Sequence, residues 1–352
     1  MLPAAPPRPG CRVNAGPLVS VVLPVHRAAR TVSAAIRSIL TQSYRNLELL
    51  VIANGSDAAT MQEIGGHMSD PRLRPFELPE ADLVDALNLG LKESRGAFLA
   101  RMDADDLSAT ERLELQVGAL QKDTGLGGVS CRVGFCSTLP QSEGLARYVD
   151  WQNRLLGHRA IFLNRFVESP LVHPSMVLRR EVLLAQGGYR NGDFPEDYEL
   201  WLRLLESGAR FRKLPQTLLT WQDSAGRLTR TDTRYSEMAF HRTKAHFFVE
   251  RWNRTIAGSR RPLLIWGAGR VSRRFSPLLE EQGLTIEAFI DIDPRKIGNT
   301  RRGRPIIAPD EIPYARRPFI LSYVPGEIAR RLIRQRLRQA AQHEGKDFLF
   351  LA

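Results

Sequence analysis

The stretch Ala97-Phe98-Leu99-Ala100-Arg101-Met102-Asp103-Ala104-Asp105-Asp106 decides how the chain is read. Ala97 to Ala100 is an apolar run of the kind that forms a short buried strand. Three carboxylates then fall within four residues, where that strand should stop. In extended backbone Asp103 and Asp105 point the same way, because side chains alternate with a period of two. Two such carboxylates at a strand end make an open, oxygen-lined site for a hard divalent cation, Mg²⁺ or Mn²⁺. A solvated Asp-rich turn would use the same residues to end a strand. The flanking chain has to choose between the two.

Upstream, Val19-Ser20-Val21-Val22-Leu23-Pro24-Val25 is almost wholly apolar or β-branched and reads as a strand buried in a parallel sheet. Thr31 is placed to cap a helix in which Val32, Ile36, Ile39 and Leu40 recur at helical spacing. Leu47 to Ala53 is the next strand, running into the polar turn Asn54-Gly55-Ser56-Asp57. This is a βαβ unit with polar loops at the strand ends where open α/β sheets bind ligands. Leu83, Leu87 and Leu91 mark another helix. Ser108 with Glu111 predicts a capping box for the helix that carries Leu113, Val117 and Leu120. Alternation of strand and helix over this length argues for an α/β fold.

Downstream, His173 sits between Leu171-Val172 and Pro174, held in a rigid loop. It would line a site, bind metal or phosphate, or serve as a structural hydrogen-bonding group. Pro195 can open a helix whose first turn holds Glu196 and Asp197 and whose apolar face carries Leu200, Trp201 and Leu204. A carboxylate there suits a proton acceptor, and it also suits a plain helix start. Arg227 and Arg230, with Arg234, form a basic segment after Trp221. They would either face a diphosphate over the site or stand solvated.

Gly258 to Pro262 reads as a linker. Leu263-Leu264-Ile265-Trp266 then runs into Gly267-Ala268-Gly269, the start of a dinucleotide-type fingerprint with Ser272 in the third glycine position. Asp291 follows where a ribose-binding acid would stand. Catalytic cofactor use, noncatalytic ligand binding and a structural role all remain open for this motif. The final helix, from Glu327, is basic and carries Ile328, Leu332, Ile333 and Leu337. It would lie on an anionic membrane or dock on the second sheet.

The chain has a net charge of +12, and the excess lies in one place. Through Asp223 there are 25 bases and 25 acids, whereas Gly226 to Ala352 holds 25 bases and 13 acids. A neutral front and a basic back suggest a catalytic part and a part facing something anionic. No apolar run is long enough to span a membrane. Residues 1–17 read as a disordered leader. Three cysteines form neither a metal motif nor a disulfide framework, so a reducing, cytoplasmic setting is expected.

Six segments together resemble the family 2 glycosyltransferases, inverting enzymes of the GT-A fold. They are Val21–Val25, Ala53–Asp57, Ala86–Gly90, Arg101–Asp106, His173–Ser175 and Glu196–Trp201, in the family's order over about 200 residues. The resemblance implies a GT-A nucleotide-diphospho-sugar transferase fold, a mixed sheet with helices on both faces, over residues 18–225. A helical extension and linker (226–261) and a small Rossmann-like α/β domain (262–352) complete the expected layout. The resemblance also implies roles. Pro24 and Val25 lie under the nucleotide base. Asp105 is the metal ligand with Asp103 beside it on the diphosphate. Asn88 and Arg101 shape the nucleotide-sugar pocket, His173 lines the site near donor or acceptor, and Asp197 is the catalytic base. Glu196, Trp201, Arg227, Arg230, Gly267, Gly269 and Asp291 are further candidates. Asn54 departs from the pattern, because the family usually has an acid there.

The implied activity is transfer of a sugar from a nucleotide-sugar, with a UDP-sugar the expected donor, to a hydroxyl of a glycan or lipid-linked acceptor in surface polysaccharide, lipopolysaccharide or glycan synthesis. The divalent ion would be Mn²⁺ or Mg²⁺. Contact with the inner face of the cell membrane through the basic final third is a further expectation, and nucleic acid is not an expected partner. Two other readings stand beside this one: a noncatalytic nucleotide-sugar-binding protein with a decayed site, and an NAD(P)-dependent oxidoreductase working through Gly267 and Gly269.

Overall fold

The computed structural model describes residues 16–140, 142–224, 226–259 and 261–352. The expected leader lies outside these except for its last two residues. Those two are tied down, because Tyr44 donates to the Pro17 carbonyl at 2.6 Å and Asn46 to the Gly16 carbonyl at 2.6 Å.

The first sheet has eight strands. They are β1 (Val19–Val25), β2 (Leu47–Asn54), β3 (Leu73–Leu78), β4 (Phe98–Arg101), β5 (Leu107–Ser108), β6 (Leu126–Ser137), β7 (Val177–Arg179) and β8 (Arg210–Asp223), in the order β3-β2-β1-β4-β7-β6-β8-β5. β1 pairs in parallel with both β2 and β4, so Val22 stands between Leu50 and Arg101. β7 runs antiparallel between β4 and β6. β6 and β8 run parallel to each other. The carboxyl ends of β1, β2, β4, β6 and β8 therefore share one edge. β1 is buried at every position, as its unbroken apolar run requires. The helix Leu83–Glu93 lies directly on β1: a Cβ on Gly90 would run into the Val22 side chain.

A second sheet holds β9 (Leu263–Trp266), β10 (Ile286–Ile290), β11 (Thr300–Arg301), β12 (Arg304–Ile307), β13 (Phe319–Ser322) and β14 (Phe348–Phe350), ordered β11-β12-β10-β9-β13-β14. Between the two sheets lies the helix Glu237–Thr255. Phe248 on this helix meets Phe166 of the first unit at 6.3 Å and Phe319 of the second at 5.8 Å between ring centroids. One apolar cluster thus runs from Tyr198 and Leu202 through Phe248 to Leu263 and Ile265.

The fold class expected from sequence is corrected here. The chain is a two-domain α/β architecture, not a single GT-A unit with a small appendage. The physical reason is burial. Three of the six strands in the second sheet are buried at every position and β10 at all but Glu287, and a helix of 19 residues is shared between the two cores.

Three local expectations also change. Thr31 precedes its helix but makes no side-chain cap. Ser108 is not part of a capping box: it sits in β5, pairs with Leu219 of β8, and its hydroxyl accepts from Gln42 at 3.1 Å. Of its large apolar side chains the helix Glu327–Gln339 buries Ile333 and Leu337, leaving Ile328 68% and Leu332 58% exposed.

Candidate active site

At the edge where β4 and β8 end, the sheet opens onto a cavity of about 460 Å³. Arg101 is the last residue of β4 and is buried beneath this cavity. Its guanidinium pairs with Asp103 at 2.6 Å and also donates to the Met102 carbonyl. β4 is fixed from below by Arg112, which is fully buried and donates to the Arg101 carbonyl at 3.2 Å and to the Pro174 carbonyl at 2.6 Å. One side chain therefore holds the acidic strand end and the His173 loop in register.

Asp103, Asp105 and Asp106 each offer a carboxylate oxygen, and these oxygens lie within 4.8 Å of one another. Asp106 is buried. Its Oδ1 accepts from the Gln222 amide at 2.9 Å, while Oδ2 has no partner. Burial, and then the neighbouring Asp103 charge, pushes Asp105 up to about 6 and Asp106 well above the usual carboxylate range. A buried carboxylate oxygen without a donor, next to two further carboxylates, is what a divalent cation would relieve. The donor set is all oxygen, which suits a hard ion. The cluster can coordinate a metal ion.

The opposite wall carries Glu196 and Asp197, at the first turn of the helix Glu196–Glu206, with Pro195 at its N-cap. Asp197 Oδ1 accepts from the Tyr198 amide at 2.6 Å. Burial, and then the adjacent Glu196 carboxylate, pushes Asp197 up to about 8. Glu196 is buried, which raises its pKa, and its carboxylate accepts from the Tyr235 hydroxyl at 2.5 Å. His173 lines the cavity, but its Nε2 is engaged with the Tyr189 hydroxyl at 2.9 Å. Burial, and then Arg101, keeps it well below its usual pKa and hence neutral.

The structure brings together Arg101, Asp103, Asp105, His173, Glu196, Asp197 and Arg227 around one cavity. Arg227 lies over the Trp221 ring at 4.1 Å and donates to the Gln222 carbonyl at 3.0 Å. Other candidates lie elsewhere. Pro24, Val25 and Asn54 stand at the neighbouring ends of β1 and β2, where Asn54 Oδ1 accepts from the Asp82 amide at 2.9 Å. Asn88 clamps the Tyr189 backbone through both of its amide atoms, at 2.9 and 3.0 Å, and so reaches the cavity only through the partner of His173. Arg230 is paired with Asp223 at 2.7 Å. Trp201 is fully buried behind His173, edge-on at 5.6 Å, and is core. Gly267, Gly269 and Asp291 line a different cavity, on the second sheet.

The sequence reading missed Tyr148, Glu168 and Tyr235, which also line the site. Tyr235 had one signal, an aromatic residue set in the arginine-rich segment after β8. Tyr148 and Glu168 had none, because each reaches the cavity only through tertiary packing.

Residues 20–186 match the glycosyl transferase family 2. The O-antigen biosynthesis glycosyltransferase WbnJ of Escherichia coli is 30% identical over 239 residues, which are 66% of this chain and 88% of that protein. The UDP-Glc:alpha-D-GlcNAc-diphosphoundecaprenol beta-1,3-glucosyltransferase WfgD of Escherichia coli is 29% identical over 199 residues, 54% of this chain and 70% of that protein. Among solved structures, the S. aureus TarS fragment 1–349 in complex with UDP-GlcNAc aligns at a TM-score of 0.49 with 15% identity, covering 75% of this chain and 78% of that one. Of the three functions the sequence left open, these relatives select transfer. Acidic motifs that were scattered in sequence and meet in one cavity, in a chain so similar to known transferases over most of their length, place it in glycosyl transferase family 2: it is a glycosyltransferase that acts on a nucleotide-sugar donor and a glycan acceptor.

Proposed function

We propose that the protein transfers a sugar, with inversion, from a UDP-sugar to a hydroxyl of a lipid-linked or growing surface-polysaccharide acceptor. The observation that carries this is the placing of Asp197 and the Asp103–Asp105 pair in the same cavity. The donor and acceptor in the name of WfgD, UDP-Glc and alpha-D-GlcNAc-diphosphoundecaprenol, support both the uridine nucleotide and the lipid-linked acceptor.

Pro24, Val25 and Asn54 would border the nucleotide, with Arg101 holding Asp103 in place beneath the diphosphate. Mn²⁺ or Mg²⁺, held by Asp105 and Asp103, would supply charge stabilisation to the leaving diphosphate. Arg227 at the mouth would add a second positive charge. Asp197, raised by burial and by Glu196, is poised near neutral pH to take the proton of an acceptor hydroxyl as that oxygen attacks the anomeric carbon. Attack from the face opposite the diphosphate inverts the centre. The exposed Ile328 and Leu332 on an arginine-rich helix support peripheral contact with the anionic cytoplasmic face of a membrane.

Purified protein is to be screened against a nucleotide-sugar panel with mass detection, and Asp197→Asn then measured with the donor found. Loss of ~10²–10⁴-fold in kcat with the fold intact is expected. Turnover near wild type removes Asp197 from the proton-accepting role, and turnover unchanged by EDTA removes the metal. Co-sedimentation with anionic but not neutral vesicles checks the membrane contact.

A further inference from the structure

We infer that the second sheet carries a binding site for a nucleoside diphosphate, made of an apolar slot at the ends of β9, β10 and β13 and a cationic hollow beside it. β9 is the first strand of this sheet. β10 and β12 lie to one side of it, β13 and β14 to the other. The chain thus reverses its direction of travel between β9 and β13, and a crevice opens beyond the carboxyl ends of strands at such a point. Here the crevice is a cavity of about 680 Å³, within the range of small-molecule sites. It shares no residue with the cavity that holds Asp197.

The walls of the slot are apolar and partly flat: Trp266, Ile290, Tyr323, Val324, Leu332 and Ile333. Gly267 takes φ +107°, and a Cβ on it would stand 2.9 Å from Val324, so a side chain there would crowd the floor. Asp291 is the polar residue at the end of β10. Its Oδ2 accepts from the Ala268 amide at 2.8 Å and from Lys296 at 3.1 Å. Its Oδ1 accepts from the Asp293 amide alone, at 3.0 Å, and keeps accepting capacity for a hydroxyl.

The hollow next to it, about 480 Å³, shares Gly269, Arg270 and Lys296 with the slot and adds Arg273, Arg295 and Arg301. No carboxylate lines it. Arg295 and Lys296 are paired with Asp293 and Asp291. Among the described residues, Arg270, Arg273 and Arg301 have no carboxylate partner within 4 Å. Arg270 and Arg273 are exposed and Arg301 donates to the Gly269 carbonyl at 3.2 Å and to the Ser272 hydroxyl at 3.4 Å, which leaves further N–H groups of all three for an anion that would ease their mutual repulsion.

The two halves select the ligand. An inorganic anion would satisfy the arginines and leave the slot empty. An uncharged aromatic or acyl group would fill the slot and leave the arginines repelling. A nucleoside diphosphate does both: base between the apolar walls, ribose hydroxyl on Asp291, diphosphate on Arg270, Arg273 and Arg301. The rim residues Ile292, 76% exposed, and Leu332 would then be partly covered.

The test uses the full chain. Hydrogen–deuterium exchange is followed with ADP, UDP, GDP and CDP at about 1 mM, enough to reveal a weak site. At least one is expected to slow exchange across residues 266–273 and 290–296, separately from any effect around Asp197. No slowing there with any of the four overturns the site, whatever happens at Asp197. Arg273→Glu with Arg301→Glu is expected to weaken that binding ~10-fold or more while sugar transfer persists. Leu332→Asp, on the exposed rim, is expected to weaken it also and covers the case in which the double variant fails to fold. Unchanged affinity in a folded variant overturns the site. Pyrophosphate binding as tightly as the nucleotides overturns the base slot.

Discussion

The hydroxyl of Tyr235 donates to the carboxylate of Glu196 at 2.5 Å, so the segment after β8 touches the neighbour of Asp197 directly. This bond favours the charged form of Glu196, and a charged Glu196 raises Asp197. In Tyr235→Phe, Glu196 should take up a proton more readily and Asp197 should become more acidic. The rising limb of kcat/KM, which follows ionisation of Asp197, is expected to move to lower pH by up to ~1 unit. Glu196→Gln should move it the same way. A pH–rate profile measures both, and a limb that stays in place would disconnect Glu196 from Asp197.

Asp197 also carries a stability cost. Its pKa rises from the ordinary carboxylate range when unfolded to about 8 when folded, so between those values the folded state holds the extra proton. Folding stability supplied by that proton is therefore lost as pH rises through this window and is constant above it. Asp197→Asn should gain on the wild type steadily up to about pH 8, by no more than ~1.4 kcal/mol per pH unit, and level off beyond. The comparison between variants is essential. His173 and Lys213 are both depressed by burial, Lys213 to about 7, and so act with the opposite sign in both proteins. Urea denaturation across this range reads the difference.

Adding Mn²⁺ at pH 8 should raise the melting temperature by ~2–4 °C, through binding to the folded state alone. Asp105→Asn should lose most of that gain, since it removes one of three facing carboxylates. Thermal melts with and without EDTA check it.

Arg112→Met should cost ~2–3 kcal/mol, because two buried carbonyls, those of Arg101 and Pro174, lose their donor. It should also lower turnover, since the Asp cluster and the His173 loop are no longer tied together. Equilibrium unfolding and initial rates on the same preparation separate the two effects.

Gly90→Ala should destabilise by ~1–3 kcal/mol through overpacking against Val22, even though alanine is the better helix former. Val22→Ala in the same chain should recover part of the loss. The double variant tests whether close approach of helix and strand, and not backbone freedom, is the reason for glycine there.

The parts that were legible in sequence are those governed by local pattern. Continuous apolar runs gave away β1, β2 and β4, and the change from apolar to acidic at Arg101 marked a strand end. What escaped depends on distance along the chain. Ser108 looked like a cap because Glu111 follows it, but pairing with Leu219 claimed the backbone for a sheet. Trp201 reads as part of the apolar face of the helix that carries Asp197, but only its packing behind His173 shows that it is core and does not reach the cavity. Asn88 and Tyr189 meet over 101 residues, beyond any periodicity. Leu332 and Ile333 are neighbours on one amphipathic helix, and the pattern alone could not say which of them finds a partner.

The helix Glu237–Thr255 begins two residues after Tyr235, packs Phe240 against Tyr198 at 5.2 Å between ring centroids, and places Lys244 against the Val167 carbonyl at 2.8 Å. Its far side is buried against the second sheet. The two units are therefore not interchangeable cassettes, and the stretch from Gly258 to Pro262 that reads as a linker is a poor place to cut. A chain ended there would strip the cover from Phe248 and Trp252 and loosen the very helix that delivers Tyr235 to Glu196. A shuffled enzyme that keeps its activity would have to carry this helix and its covering sheet together.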